Sequence, residues 1–265
     1  MTTPNHILYD AKDGIASVTL NRPDVHNAFN EAVMDDLTAL VKQAGEDKNV
    51  RALVLRGNGK SFCAGGDLNW MRKSANYSYE ENVQDAMRLG ILLKTLNFLP
   101  KPTIALVHGN IFGGGVGLAS CCDILIAEQG AQFCLSEVRI GLIPSIIAPY
   151  VINAMGERMA RRYFMTAERF DADTAYRIGF AHEVAATGQL DTVAGKIITA
   201  LLEGAPEAQG RGKKLMLELV GRAIDEKVID LTVRQIAEAR ASDEGKEGLT
   251  AFLSKTEPSW RKKKA

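Results

Sequence analysis

The chain has 265 residues, 46% of them hydrophobic and 24% charged, with 32 Lys plus Arg balanced by 32 Asp plus Glu. That length buries a large core, as one domain or one plus an appendage, in a composition ordinary for a soluble globular protein. Zero net charge argues against a large nucleic-acid footprint or an acidic partner, and no apolar run is long enough to span a membrane.

In chain order, Met1 to Asp10 lacks the basic and apolar regions of a signal peptide, which predicts a cytoplasmic protein. Ile15 to Leu20 reads as a β-branched strand, and Asn21-Arg22-Pro23-Asp24 as the turn that leaves it. Asn30 caps a helix from Glu31 to about Ala44, with Val33, Leu37, Leu40 and Val41 on one face. Val50 to Arg56 is a strand buried on both faces. Ser61 to Leu68 is a glycine-containing turn leading into a helix through Trp70 and Met71. Glu80 to Leu99 is a long amphipathic helix stopped by Pro100 and Pro102. Thr103 to Val107 is a buried strand, and Leu118 to Cys121 looks helical. Ile124 to Ala127 and Gln132 to Leu135 are short apolar segments. Helical patterns follow at Arg158 to Met165, Asp173 to Ile178 and Leu190 to Leu202. Past Gly204-Ala205-Pro206 every segment looks helical: Lys213 to Val220, Lys227 to Ala241 and Glu244 to Lys255. This order predicts an α/β core over residues 1–203 and a helical region over 204–265, with no visible internal repeat. Arg261 to Lys264 reads as a solvated tail. The four cysteines, Cys63, Cys121, Cys122 and Cys134, lack metal-ligand spacing and read as buried reduced thiols.

Two glycine turns carry the chemistry. Gly109 to Gly117 holds five glycines in nine residues, including Gly113-Gly114-Gly115. About fifty residues earlier stands Ala64-Gly65-Gly66-Asp67. Each leaves a buried strand and enters a helix, so each can offer a bare backbone N–H. Either the glycines serve close helix–strand packing, or one donor from each turn polarises a shared carbonyl oxygen. Glu137 sits in an otherwise apolar stretch, Gln132 to Arg139. It pairs with Arg139 or another cation, or it is a poorly solvated carboxyl suited to acid/base work.

Three blocks, F-C-A-G-G-D-L, G-N-I-F-G-G-G-V-G-L-A-S-C-C-D-I and A-Q-F-C-L-S-E-V-R-I-G-L-I-P, resemble the signatures of the crotonase (enoyl-CoA hydratase/isomerase) superfamily. The opening V-T-L-N-R-P-D-V-H-N-A-F and the closing E-G-L-T-A-F-L-S-K fit too, so the resemblance spans the whole chain. It implies a spiral of ββα units with a helical C-terminal trimerisation region, assembled as a trimer or dimer of trimers. It implies an acyl-CoA thioester substrate and no metal or redox cofactor, coenzyme A being part of the substrate. The family's two oxyanion amides fall on Gly66 and Gly114, and its retained catalytic carboxylate on Glu137. Its CoA-binding positions fall on His26, Ala28, Ala64, Asp67 and Leu68, with Phe252 and Lys255 reaching the nucleotide, often from a neighbouring subunit. His26 and Lys255 also fit simple surface solvation, and Asp67 a helix N-cap.

One departure matters. Two-carboxylate hydratases carry a second Glu where this chain has Gly117. A single acid/base group fits a Δ3–Δ2 isomerase. Local wording, G-G-V-G-L-A-S-C-C-D, L-S-E-V-R-I-G-L-I-P-S-I-I-A-P-Y-V and G-E-R-M-A-R-R-Y-F-M-T-A-E-R-F-D, instead resembles bacterial methylglutaconyl-CoA hydratases of leucine breakdown. It equally resembles isohexenylglutaconyl-CoA hydratases of acyclic terpene breakdown. Trp70, Met71, Ile146 and Tyr150 either shape the acyl pocket or are ordinary core. The substrate's far carboxylate would look to Arg139 or a polar group near Asn69. RNA binding, reported for a relative in the superfamily, is disfavoured by the zero net charge.

Overall fold

The computed structural model describes residues 6–261; Met1 to Asn5, and Lys262 to Lys264 of the basic tail with Ala265, lie outside that range. Two compact units result. Among the described residues one comprises 6–99 and 103–195, the other 100–102 and 196–261.

The first unit holds two sheets. Six strands line up as β1 (Ile7–Lys12), β2 (Ile15–Leu20), β3 (Ala52–Gly57), β4 (Thr103–Val107), β6 (Ile124–Glu128) and β9 (Glu183–Ala185). All pairs are parallel except β1 with β2. The second sheet is short: β5 (Asn110–Phe112), β7 (Gln132–Cys134) and β8 (Phe170–Asp171). β5 pairs parallel with β7, and β7 antiparallel with β8.

The helices interleave with these strands. β4 passes through His108-Gly109 into β5 and then α4 (Gly114–Ser120), while β6 passes into β7, a 3-10 turn (Glu137–Ile140), α5 (Ala148–Met155) and α6 (Glu157–Thr166). Upstream the same order recurs with an irregular second strand. β3 leads to a segment whose Cys63 bridges Ile111, then to α2 (Leu68–Ser74) and α3 (Tyr79–Asn97). β2 leads to Phe29, which bridges Gly66, and then to α1 (Glu31–Glu46). The unit is therefore a spiral of strand–strand–helix turns. The repeat that the residues do not display is carried by backbone pairing.

Burial explains the longer elements. β4 is buried at every position, and α1 turns Val33, Met34, Leu37, Val41 and Ala44 inward. The Asn30 side chain accepts from the Val33 N–H, as the cap pattern predicts. Ser78 and Glu81 form a reciprocal capping box on α3. Cys63, Cys121 and Cys134 are buried reduced thiols, whereas Cys122 is only half-buried. The structure adds what periodicity missed. β1 forms where only a leader was considered, β5 is three residues long, and α5 starts despite Pro149, which sits within its first turn where no N–H is needed. α4 begins at Gly114, four residues before the expected start at Leu118.

In the second unit, α9 (Pro206–Leu219), α10 (Glu226–Ala241) and α11 (Asp243–Ser254) follow the end of α8 (Leu190–Glu203). The Glu244 carboxylate accepts from the N–H groups of Glu207 and Ala208, which caps α9. The buried Lys213 donates to the Lys101 carbonyl. α10 buries none of its sixteen residues within the chain. Among the described residues no helix is long and apolar enough to cross a membrane.

One polar lock ties two central strands. The fully buried Thr103 donates its N–H and hydroxyl to Asp123 Oδ2, at 2.8 and 2.9 Å, and its hydroxyl accepts from the Asp123 N–H at 2.9 Å. Thr103→Val keeps the shape and removes the hydroxyl's two bonds. Urea unfolding is expected to show a loss of about 1–2 kcal/mol with an unchanged slope.

Candidate active site

The site is built where three successive turns of the spiral run side by side. Cys63 N–H donates to the Asn110 carbonyl at 3.2 Å, and Phe112 N–H donates to the Cys63 carbonyl at 3.0 Å. These two bonds fix a parallel register, so Gly66 and Gly114, each three residues further on, lie at equivalent points of adjacent turns. A Cβ added to Gly65 would stand 3.1 Å from the Phe112 carbonyl oxygen, and one on Gly115 would stand 2.4 Å from that of Cys63.

Both amides are bare. Phe29 N–H donates to the Gly65 carbonyl and Asp67 N–H donates to the Phe29 carbonyl, so the peptide groups flanking Gly66 face Phe29 while its own N–H points away. Gly114 opens α4, where no intrahelical carbonyl is available. Neither N–H meets an acceptor among the described residues. Side chains crowd both glycines. An added Cβ would lie 2.2 Å from Phe29 Cζ at Gly114 and 2.8 Å from Trp70 Cζ3 at Gly66. The glycines therefore permit close packing and at the same time leave N–H groups unspent.

Glu137 comes from the third turn, just beyond β7. Gly113 N–H donates to the Cys134 carbonyl at 2.9 Å, which seats the β7 exit against the start of α4. A Cβ on Gly113 would lie 3.2 Å from Glu137 Oε1, and Gly113 has φ +51°. Glycine is required there for conformation and for room. Glu137 Oε2 is buried with no hydrogen-bond partner, and Glu137 forms no ion pair among the described residues. Burial raises its pKa above the ordinary glutamate value, against a smaller lowering by its own backbone N–H. The alternative pairing with Arg139 is not made: that guanidinium donates to the Ala167 carbonyl at 2.6 Å. The neighbouring thiol Cys63 offers no nucleophile, since burial pushes it up to about 12.

A second cluster lies on the loops that enter this region. His26 and Asn27 both have left-handed backbones. Asn27 is 2% exposed; its Oδ1 accepts from Arg22 N–H at 2.7 Å, and its Nδ2 donates to the Asn58 and Ser61 carbonyls at 2.8 and 2.7 Å. His26 Nδ1 and Ser61 Oγ are 3.1 Å apart, and Ala64 N–H donates to the His26 carbonyl at 3.0 Å. Arg22 donates to the Ala28 carbonyl at 2.5 Å and pairs with Asp67 at 2.9 Å. Asp67 also caps α2 through Asn69 and Trp70 N–H groups. Burial alone would raise the Asp67 carboxyl, but those N–H donors and the Arg22 guanidinium hold it below its usual value. So His26, Ala28, Ala64, Asp67 and the exposed Leu68 stand together on two clamped loops. Arg22, Asn27 and Ser61, which do the clamping, were not singled out by motif. The signal available was an Asn followed by an apolar pair after a Pro turn, since Asn tolerates the left-handed region best among non-glycine residues. Phe252, exposed, and Lys255, at the left-handed C-cap of α11, belong to the second unit.

Beyond the glycines the lining is apolar. Trp70 packs on Phe29 at 6.3 Å between ring centroids and donates to Asp85 Oδ1 at 3.1 Å. Ile146 and Tyr150 are half-buried against the core. Gly117 faces Ile147, whose Cγ2 lies 2.2 Å from where a Cβ would be.

The enoyl-CoA hydratase/isomerase family pattern matches residues 10–263. The chain belongs to this family. Its backbone is the α/β crotonase fold. An enoyl-CoA hydratase structure from Shewanella pealeana superposes with a TM-score of 0.94 at 44% identity, covering 96% of each chain. Pseudomonas aeruginosa AtuE superposes with 0.93 at 36% identity, covering 97% of this chain and all of that one. A short-chain-enoyl-CoA hydratase from Clostridium acetobutylicum is 30% identical over 95% of both chains. Family membership makes the protein an enzyme of the enoyl-CoA hydratase/isomerase class with an acyl-CoA thioester substrate.

The clamp loop is open to test by stability. Asn27→Ala removes three hydrogen bonds from a buried site and leaves alanine in a left-handed conformation. Equilibrium unfolding is expected to show a loss of roughly 3 kcal/mol or more. A loss under 1 kcal/mol would mean that the loop is held by other contacts.

Proposed function

We propose that this family member adds water reversibly to the double bond of 3-methylglutaconyl-CoA, giving 3-hydroxy-3-methylglutaryl-CoA. The carrying observation is Glu137: a desolvated carboxyl with an orphaned oxygen, set against Gly113 beside two bare amides. The Gly66 and Gly114 N–H groups donate to the thioester oxygen. That drains charge from the β-carbon and stabilises the enolate; losing one such donor costs roughly 2.7–4 kcal/mol of barrier. Glu137 takes a proton from water as its oxygen bonds to the β-carbon. The same carboxyl then returns a proton to the α-carbon, so one group suffices and no proton is left over. Ile147 fills the room beside Gly117, which supports a one-carboxylate reaction in this chain.

The CoA portion lies along the clamped loops, at His26, Ala28, Ala64, Asp67 and Leu68. Asp67 acts there through the loop geometry it holds with Arg22 rather than as a free charge. Phe252 and Lys255 reach the nucleotide from a neighbouring subunit, as is common in the family. The protein assembles as a homotrimer or a dimer of trimers; α10, which exposes Ile229, Val233 and Ile236, supports burial against another copy. Sedimentation at equilibrium should return three or six chain masses. The substrate's far carboxylate needs a cation. Arg139 is engaged by Ala167, whereas the exposed Arg72 holds Asn69 Oδ1 at 2.8 Å on the helix that begins beside Gly66.

A second reading, favoured by the same motif wording, is the isohexenylglutaconyl thioester. Relative kcat/KM on the two thioesters decides between them, with the methylglutaconyl compound expected to be preferred. Product formed in oxygen-18 water should gain one labelled atom; an isomerase product would gain none. Glu137→Gln should lower kcat/KM by about 10²–10⁴-fold. Wild-type kcat/KM should fall on its acid side through one ionisation lying above the ordinary glutamate value.

Stability should move the opposite way. A raised folded-state pKa means the folded chain holds this proton more tightly. The stability it contributes is full below the unfolded value and is lost as pH rises through the folded one. Glu137→Gln should therefore melt with the wild type in acid and above it at about pH 8. Near-normal turnover of Glu137→Gln would overturn the role given to Glu137.

A further inference from the structure

A polar cavity of about 220 Å³ opens in the first unit between α6, β8 and α7 (Ala172–Arg177). Arg162, Arg169 and Arg177 all line it, with Thr174 and Gln132. Their charges are not equally spent. Arg162 is held by both oxygens of Glu168, at 2.6 and 2.9 Å. Arg177 donates to Thr174 Oγ1 at 3.2 Å, and Arg169 lies over the Phe112 ring at 5.1 Å from its centroid. Neither of these two has a carboxylate within ion-pair distance among the described residues. The remaining acid, Asp171, accepts the Thr174 N–H at 2.8 Å as the cap of α7 (Ala172–Arg177).

Two guanidinium groups thus share a concave polar site with a hydroxyl and an amide; of its two carboxylates, Glu168 is held by Arg162, and Asp171 caps α7 with the Arg177 guanidinium helping to lower its carboxyl. Guanidinium edges bind tetrahedral oxyanions through paired N–H groups. Stacking on Phe112 fixes the plane of Arg169, which lowers the entropy lost when it binds. The cavity exceeds the ~30 Å³ share of one water several-fold.

We propose that this cavity binds a phosphate group, as free phosphate or as a phosphate monoester, between Arg169 and Arg177. The site is separate from the acyl-CoA reaction and does not depend on which thioester is turned over.

The test uses the full chain in calorimetric titrations with inorganic phosphate and, in parallel, glycerol 3-phosphate, ionic strength being held constant with sodium chloride. Wild type should bind at least one of them saturably, and which one identifies the source. Arg177→Gln and Arg169→Gln should each weaken binding about tenfold, the loss of one charge-assisted hydrogen bond. Arg177→Lys should recover part of the loss, and Arg177→Gln should leave thioester turnover unchanged. Phosphate heats that chloride reproduces, or binding equal in wild type and Arg177→Gln, would overturn the proposal.

Discussion

The register between the second strands of successive spiral turns is the constraint on which the site depends. Two backbone hydrogen bonds at Cys63 set it, and Gly113 N–H to the Cys134 carbonyl extends it by one more turn. Once these are in place, three exits align: Gly66 before α2, Gly114 at the start of α4, and Glu137 beyond β7. Each exit lies where a strand stops pairing and a helix or 3-10 turn has yet to begin its own bonds. Unspent amides are a by-product of that geometry. A shift of one residue in any strand would rotate the amide out and aim a side chain in its place. The arrangement is thus protected by sheet pairing more than by the glycines themselves.

Glycine is nonetheless forced at these exits by what the neighbours bring. The Phe29 ring occupies the Cβ space of Gly114, Trp70 that of Gly66, and Glu137 presses on Gly113. The same crowding strips water from Glu137. Its carboxyl makes no ion pair, and one oxygen makes no hydrogen bond, so ionising it works against the fold. That opposition raises its proton affinity above that of a solvated glutamate.

Legibility from the residues followed element length and side-chain information. β2 and β4 match their expected bounds because each carries five or six residues of continuous apolar or β-branched pattern. β5, β8 and β9 have two or three residues each and lie below any periodic signal. The spiral repeat was invisible because Cys63, Ile111 and Phe133 occupy equivalent places without sharing neighbours in sequence. In the site, glycine clustering and a lone acid in an apolar stretch pointed to the two glycine turns and to Glu137, and the family resemblance narrowed the turns to Gly66 and Gly114. Arg22 and Asn27 read as turn residues, since a clamp acting across thirty to forty-five positions leaves no local pattern.

Gly117 shows how the two kinds of information combine. Its identity alone says only that a carboxylate is missing. The side chain of Ile147, together with Leu93, occupies the space a residue there would need. A glutamate at that position would clash before it could reach the substrate, so the loss is built into the packing of α4 against α5.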